Sequence, residues 1–409
     1  MNDRFIYIVG MPDPQSESLE AIHRLGYKAG LLLDSQHTTK HADKYDRVLP
    51  VDFAAIESEL VRLDGEDLRI AGLLCTFENY IVAKAKIAAH FSVPAPSLRS
   101  AKLSTDKSLM RQAFMDADPS ITPNFTTIDS LEEALVFAGT RGYPLILKPT
   151  NLVKSLLVLR CNDEHELIEN YQYASSSIQG LYEKYNIYDR EPQLIIEEYI
   201  IGKTCSIAAF VDAQGVPHFC EGIASLTSAQ EINVADNYLY SRHLPAHFDE
   251  TMTRRLFEVA EKGIKALAMR SIPAHVELIY NDHEVKLIEI GARIGGYRPR
   301  MYHYSYGLDL IEQETRLAIG EQPQLTGTFK AYSAVYELFS ETEGNFETIE
   351  GAEDTSAYTY YAVKARPGQL TGPAKNGYKA AAIVIVVQED KQQFDALCHT
   401  IDALSVKVN

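Results

Sequence analysis

The chain has 409 residues, 46% of them apolar and 23% charged, which is the composition of a globular protein too long for one ordinary core. Two to four domains or subdomains are expected. A formal net charge of −17 gives no support to nucleic-acid binding by counterion release, and the longest apolar runs, such as 380–387, are far too short to span a bilayer.

The first ten residues, MNDRFIYIVG, read as a β-strand rather than a secretion signal. Apolar runs at 29–34 and 70–76, separated by stretches of helical spacing at 18–27 and 55–63, predict a small parallel α/β domain over residues 1–95. Its first turn, GMPDPQSES, lacks G-x-G-x-x-G, so a dinucleotide site is not indicated. Pro94 and Pro96 mark its boundary. The next region, 96–193, opens with a capped helix in TDKSLMRQAFMDAD. It continues with a strand and the helix SLEEALVFAGTRG, the strand YPLILKP, and a long polar helix over 163–185. Over 194–330 come the strand QLIIEEYIIG, a hairpin turning at Gly215, a loop at 225–245, and an amphipathic helix at 250–268. A second hairpin and a helix near 308–319 complete that region. Residues 331–409 form a smaller β-rich module ending in the strand AAAIVIVV and a helix. The five cysteines, at 75, 161, 205, 220 and 398, contain no Cys-x-x-Cys, which argues against zinc and a disulfide framework and fits a reducing cytoplasm.

The second hairpin, HVELIYNDHEVKLIEIGARIGG, is the most informative segment. Alternation puts His275, Glu277 and Ile279 on one face of its first strand, and Leu287, Glu289 and Gly291 on one face of its second. A three-residue loop centred on His283 sets Glu277 directly opposite Glu289. Like charges at opposed positions are destabilising, so the pair invites a cation, and oxygen ligands alone favour Mg²⁺ or Mn²⁺. Arg293 and the Gly295-Gly296 pair follow, supplying fixed charge and a backbone that approaches phosphate closely. The plainer reading is two strand glutamates facing water in a chain with 56 acidic residues.

Four elements in fixed order resemble the ATP-grasp superfamily of carboxylate–amine ligases. They are Asp106-Lys107 opening a helix, Lys148 ending a strand, the segment IIEEYIIGK, and the two-glutamate hairpin with Arg293. The tail, with VKARPGQL and GYKAAAIVIVVQED, is similar to the C-terminal module of the L-amino acid ligase branch, whose members join amino acids into dipeptides. The resemblance implies an ATP-grasp fold of the α/β (α+β) class, with an N-terminal parallel, Rossmann-like domain. It implies an ATP-dependent ligase that forms an amide through an acyl phosphate, with ATP and amino-acid-like small molecules as partners. A homodimer is compatible with the sequence.

The family roles fall on matching positions. Lys107 and Lys148 would reach ATP phosphates, and Glu197, Glu198, Tyr199 and Ile200 would form the adenine hinge. Glu277 and Glu289 would hold Mg²⁺ or Mn²⁺, and Arg293 would stabilise charge on the transferring phosphoryl group. Tyr297 would line an amino-acid pocket beside Gly295 and Gly296, and Arg298 or Arg300 would meet a substrate carboxylate, a surface position being the plainer reading of either. An ion pair with Glu289 is the other expectation for Arg293. Three departures stand out. The glycine-rich phosphate loop is replaced by residues 152–158, LVKSLLV, where Lys154 and Ser155 are the polar side chains left to meet phosphate. Thr204 stands where a ribose-binding glutamate is common, and Gly291 where an asparagine often follows the second metal glutamate. A purine-pathway or biotin-type ligase, or a nucleotide-binding regulator without turnover, are the competing readings. The glycine-poor loop speaks for the regulator.

Overall fold

A computed structural model describes residues 3–13, 16–152, 156–184, 191–236 and 238–409. Near the N-terminus, β1 (Phe5–Gly10), α1 (Glu17–Arg24), β2 (Lys28–Asp34), β3 (Arg47–Val51), α2 (Ile56–Asp64) and β4 (Ile70–Leu74) build a four-stranded sheet of order β3-β2-β1-β4. All its pairings are parallel. β1, β2 and β4 are buried along nearly their whole length, which is why they read as continuous apolar runs. β3 escapes that pattern. Its sequence RVLPV is half-exposed and carries Pro50, which is tolerated because β3 is the sheet edge. Gly72 on β4 is sterically required, since a Cβ there would lie 2.3 Å from the Ala318 carbonyl oxygen.

The chain continues through α3 (Ile81–Phe91), α4 (Leu98–Thr105) and α5 (Lys107–Ala117). The Asp106 carboxylate caps α5 by accepting from the Ser108 and Leu109 amides at 2.9 and 3.1 Å. Next come β5 (Phe125–Ile128), α6 (Leu131–Arg141), β6 (Leu145–Pro149), β7 (Leu159–Cys161), α7 (Glu164–Lys184) and β8 (Leu194–Glu198). The four strands form an antiparallel sheet of order β5-β8-β6-β7, whose apolar face packs against α6 and α7 around Leu145, Leu147, Leu167 and Ile196.

The largest sheet is assembled from β9 (Lys203–Val211), β10 (Pro217–Phe219), β11 (Ala224–Ser228) and β12 (Leu239–Leu244), then, after α8 (Glu250–Ala266), from β13 (Ile272–Tyr280) and β14 (Val285–Gly291). Beyond α9 (Arg298–Tyr306) and α10 (Leu310–Ala318), the C-terminal residues add β15 (Tyr332–Leu338), β16 (Gly344–Glu350), β17 (Tyr360–Val363), β18 (Leu370–Thr371), β19 (Ala382–Gln388), α11 (Lys391–Ile401) and β20 (Ser405–Val408). The order is β14-β13-β9-β11-β12-β15-β19-β17, with β10 beside β9, and β18-β16-β20 form a small separate sheet. Strands after residue 331 therefore extend the same sheet as the glutamate hairpin. The loop expected at 225–245 instead contains β11 and β12. Their polar sequences ASLTS and LYSRHL give no clear periodicity, and neighbours on both sides, β9 and β15, hold them in the sheet.

The hairpin also differs in detail from expectation. Its loop is the four residues 281–284, closed by Asn281 N–H donating to the Glu284 carbonyl at 3.0 Å. Tyr280 pairs with Val285 and Leu278 with Leu287, and a bulge then leaves Ile288 without a partner, so that Glu277 pairs with Glu289. The expected opposition of the two glutamates is present, produced by a longer loop plus a bulge. The bulge also turns Leu287 to the face opposite Glu289. Leu287 and Ile290 pack onto α8, where a Cβ on Gly263 would meet both side chains. Among the described residues, no helix is long and apolar enough to cross a membrane.

Candidate active site

Glu277 and Glu289 face the same side of the sheet, with side chains 21% and 29% exposed. His275 lies two residues before Glu277 on that face and is buried, with Nε2 3.0 Å from Glu277 Oε1. Burial pushes the His275 imidazole down, and the Arg298 and Arg293 charges act in the same direction. Because an ionised carboxylate only accepts, the neutral ring must carry its proton on Nε2. Burial opposes ionisation of Glu277, but the His275 hydrogen bond and the Arg298 and Arg293 charges outweigh it and hold the carboxyl at about 2. Two carboxylates on adjacent strands are a small donor set, and among the described residues no group of three or more His, Cys, Asp or Glu could hold a metal. Such a pair suits Mg²⁺, which keeps waters and takes its remaining oxygens from phosphate.

Lys107 begins α5 and lies between the end of β6 and the glutamate hairpin. Its amide donates to the Thr150 carbonyl at 2.8 Å, and its ammonium donates to the Leu152 carbonyl at 2.9 Å and stands 3.7 Å from Glu289 Oε2. Lys148, on β6, is buried with its ammonium 2.6 Å from Glu197 Oε1. Arg111 of α5, also buried, contacts the other Glu197 oxygen at 3.1 Å. Burial pushes the Lys148 ammonium down to about 8, with Glu197 opposing and the Arg111 charge adding to it. The Glu197 carboxyl, disfavoured by burial, is held well below its usual range by Arg111 and Lys148. Glu197 therefore serves its neighbours through its side chain. Glu198 is fixed by the Asn124 amide at 2.9 and 2.8 Å, and the Arg160 guanidinium lies 4.2 Å from the centre of the Tyr199 ring. Tyr199 and Ile200 are half-buried, and Asn281 of the hairpin turn donates to the Ile201 carbonyl at 2.7 Å, which ties the hinge to the glutamate hairpin.

Arg293 does not pair with Glu289. Its partner is Glu78 at 3.5 Å, which follows β4 at the carboxyl end of the N-terminal parallel sheet. Gly295 lies against the imidazole, since a Cβ there would come within 2.4 Å of His275 Nδ1, whereas a Cβ on Gly296 would meet nothing within 4 Å. Arg298 is 2% exposed and donates from Nη2 to Ser206 Oγ at 2.7 Å and from Nη1 to the Gly296 carbonyl at 3.4 Å. Ser206 pairs with Glu277 across β9 and β13, so Arg298 sits next to the glutamates. Among the described residues no carboxylate lies within 4.0 Å of the Arg298 guanidinium, which burial pushes down to about 10 and leaves charged. Tyr297, with φ 61, donates to Glu337 Oε1 at 3.0 Å; burial and then Glu337 raise its phenol.

Lys154 and Ser155 lie outside the described residues. On either side of them, Leu152 and Leu157 are buried in the core of the smaller sheet. Leu157 adopts φ 54, the left-handed conformation for which glycine was expected, so this position keeps the backbone form without the residue that favours it. Thr204 donates to the Leu226 carbonyl at 3.1 Å, and a Cβ on Gly291 would touch only Arg293, at 3.8 Å.

Sequence reasoning missed Glu78, Arg111, Ser206, Arg242 and Glu337. Glu78 had a usable signal, its place just beyond a parallel strand where α/β sheets bind ligands. Arg242 was hidden in the segment expected to be a loop.

Residues 141–299 match the ATP-grasp domain family, a range that includes β6, β7 and β8 of the smaller sheet and the glutamate hairpin. The whole fold is similar to that of an L-amino acid ligase from Bacillus licheniformis, with a TM-score of 0.79 over 100% of both chains at 19% identity. In sequence, the chain is 24% identical over 343 residues to the uncharacterized protein y4rH of Sinorhizobium fredii, covering 81% of this chain and 66% of the relative. It is also 24% identical over 247 residues to alanine–anticapsin ligase of Bacillus subtilis, covering 58% of this chain and 51% of that protein. The chain thus matches about two thirds of the length of the first relative and about half of the second.

Proposed function

We propose that the protein is an ATP-dependent carboxylate–amine ligase acting on amino acids, as its resemblance to the L-amino acid ligase branch implies. The observation that carries this is the register pairing of Glu277 with Glu289 beside a buried Arg298 that lacks a carboxylate partner among the described residues. A face that gathers two anionic ligands and one buried cation fits a metal-bound polyphosphate next to a substrate carboxylate.

In this reading a substrate carboxylate oxygen attacks the γ-phosphorus of ATP, the bond to the bridging oxygen breaks, and ADP leaves. The amine nitrogen of a second substrate then attacks the acyl carbon. The carbon–oxygen bond to phosphate breaks, phosphate departs with the electron pair, and the nitrogen releases its proton. Lys107 and Lys148 bind phosphate oxygens, with Glu197 and Arg111 holding Lys148 in place. Glu198, Tyr199 and Ile200 offer hinge backbone to adenine. Arg298 orients the carboxylate, Arg293 meets charge developing on the phosphoryl group, and Tyr297 walls the substrate pocket. Glu277 and Glu289 would hold Mg²⁺ or Mn²⁺, which when bound withdraws charge from the phosphate oxygens. Five free cysteines, all buried, accord with a cytoplasmic setting.

The experiment is ATP-dependent hydroxamate formation from each standard amino acid with hydroxylamine as the nucleophile. Wild type should form hydroxamate and ADP, while Glu289→Gln and wild type in excess chelator should not. No hydroxamate from any amino acid, or turnover undiminished by chelator, refutes the proposal.

A further inference from the structure

The row of side chains that begins at the paired glutamates continues across the sheet. Residues paired in register share a face, so Glu289, Glu277 and Ser206 lie on one side. Ser206 pairs with Ala224, and two residues along β11 Leu226 pairs with Arg242, which in turn pairs with Val335. Glu337, two residues beyond Val335, also faces this side. The same face therefore runs from the metal candidates on β13 and β14 to an arginine on β12 and a glutamate on β15.

At that far end Arg242 Nη2 stands 2.7 Å from Glu337 Oε2, with the two side chains 11% and 20% exposed. The other Glu337 oxygen is occupied by the Tyr297 hydroxyl, and the Arg242 guanidinium lies 5.2 Å from the centre of the Tyr297 ring. Glu337 and the ring thus hold the guanidinium from two sides. A guanidinium has five donors, and Arg242 uses only this contact and a 3.3 Å bond to the Leu239 carbonyl among the described residues. Arg242 is also the strongest charged influence on Arg298, so the two cations neighbour each other.

Resting on the ligase reading, we infer that Arg242 binds the free carboxylate of the amine-donating amino acid. Arg298, which begins α9 and donates to Ser206 Oγ, is placed for the carboxylate that is phosphorylated. Arg242 stands two strands beyond Ser206, with its guanidinium near enough to Arg298 to be its strongest charged neighbour. Two neighbouring guanidinium groups suit a product whose second carboxylate lies one extended residue, roughly 3.5 Å, beyond the new amide. The planar fork recognises a carboxylate by paired hydrogen bonds. Glu337 and Tyr297 are positioning residues that set the fork's angle.

The test compares amine donors as free amino acids and as their α-amides, which lack the carboxylate. Wild type should favour the free acid in KM by about 10- to 100-fold, the range for one charge-assisted contact. In Arg242→Ala the preference should collapse to near unity, and in Arg242→Lys, which keeps charge but not the fork, it should be intermediate. Because the readout is a ratio within one enzyme, a general loss from poor folding cancels. Hydroxamate formation by wild type reports the ligase reading separately, since hydroxylamine has no carboxylate. Wild type that forms no hydroxamate defeats the ligase reading. Hydroxamate-forming enzyme that treats acid and amide alike, makes no amide with any amino acid, or keeps its preference in Arg242→Ala defeats this inference alone.

Discussion

Adjacent glycines in one turn should respond unequally to the same substitution. In Gly295→Ala the added Cβ would sit 2.4 Å from His275 Nδ1 and 2.5 Å from Cε1, closer than real contacts allow. The ring has little room to retreat, because His275 is 6% exposed on β13 and is held by its 3.0 Å bond to Glu277. Overpacking of this kind costs ~1–3 kcal/mol. If the ring rotates away, the bond to ionised Glu277 is lost as well, and such bonds contribute ~1.5–3 kcal/mol. A loss of about 3 kcal/mol of transition-state stabilisation through Glu277 would lower turnover on the order of 100-fold. Gly296→Ala meets nothing within 4 Å, and neither glycine has a positive φ, so this variant should match wild type. Amino-acid-dependent ADP release, titrated with Mg²⁺ and accompanied by thermal melts, measures both variants. Adding His275→Ala to Gly295→Ala should restore the melting temperature by removing the clash. Wild-type behaviour of Gly295→Ala, or equal damage from Gly296→Ala, would refute the reasoning.

Lys148, pushed down to about 8, loses its proton in the folded protein before it does so in the unfolded chain. Between pH 8 and the ordinary lysine range near 10.4 the unfolded state binds more protons, so this group makes stability rise with pH across that window. Denaturant unfolding at several pH values should show that rise in wild type and not in Lys148→Met, and equal slopes would count against it. ATP binding, which favours the ammonium, should take up protons above pH 8, as calorimetry in buffers of different ionisation enthalpy would detect. Gly291→Asn has room for its Cβ and adds an oxygen beside the glutamates, so it should lower the Mg²⁺ concentration needed for half-maximal activity; a higher requirement would argue against the metal assignment. For Leu157→Gly two effects compete. Relief of the left-handed backbone gains ~1–2 kcal/mol, but truncating a buried leucine costs ~2–5 kcal/mol, so the variant should be less stable, and a gain in denaturant midpoint would show the opposite balance.

Local pattern carried much of this protein. Apolar periodicity located most of the helices and strands, Asp106 marked the start of α5, and alternation put His275 and Glu277 on one face. These features depend on residues close in sequence, where side-chain period and capping chemistry act directly. The opposition of Glu277 and Glu289 was also legible, but its cause was not. The loop is one residue longer than expected, and the bulge at Ile288 that restores the register is set by how Leu287 and Ile290 fit onto α8. Likewise β3, β11 and β12 have weak sequence signatures and exist because neighbouring strands satisfy their backbone groups. Only the tertiary structure decided which charges meet. Arg293 joins Glu78 from the first sheet, Glu197 lies between Lys148 and Arg111, and Arg242 meets Glu337 from the far end of the chain. A charged side chain carries no periodic mark of its partner. The pairing is fixed when folding removes both groups from water and leaves each the other's nearest compensation.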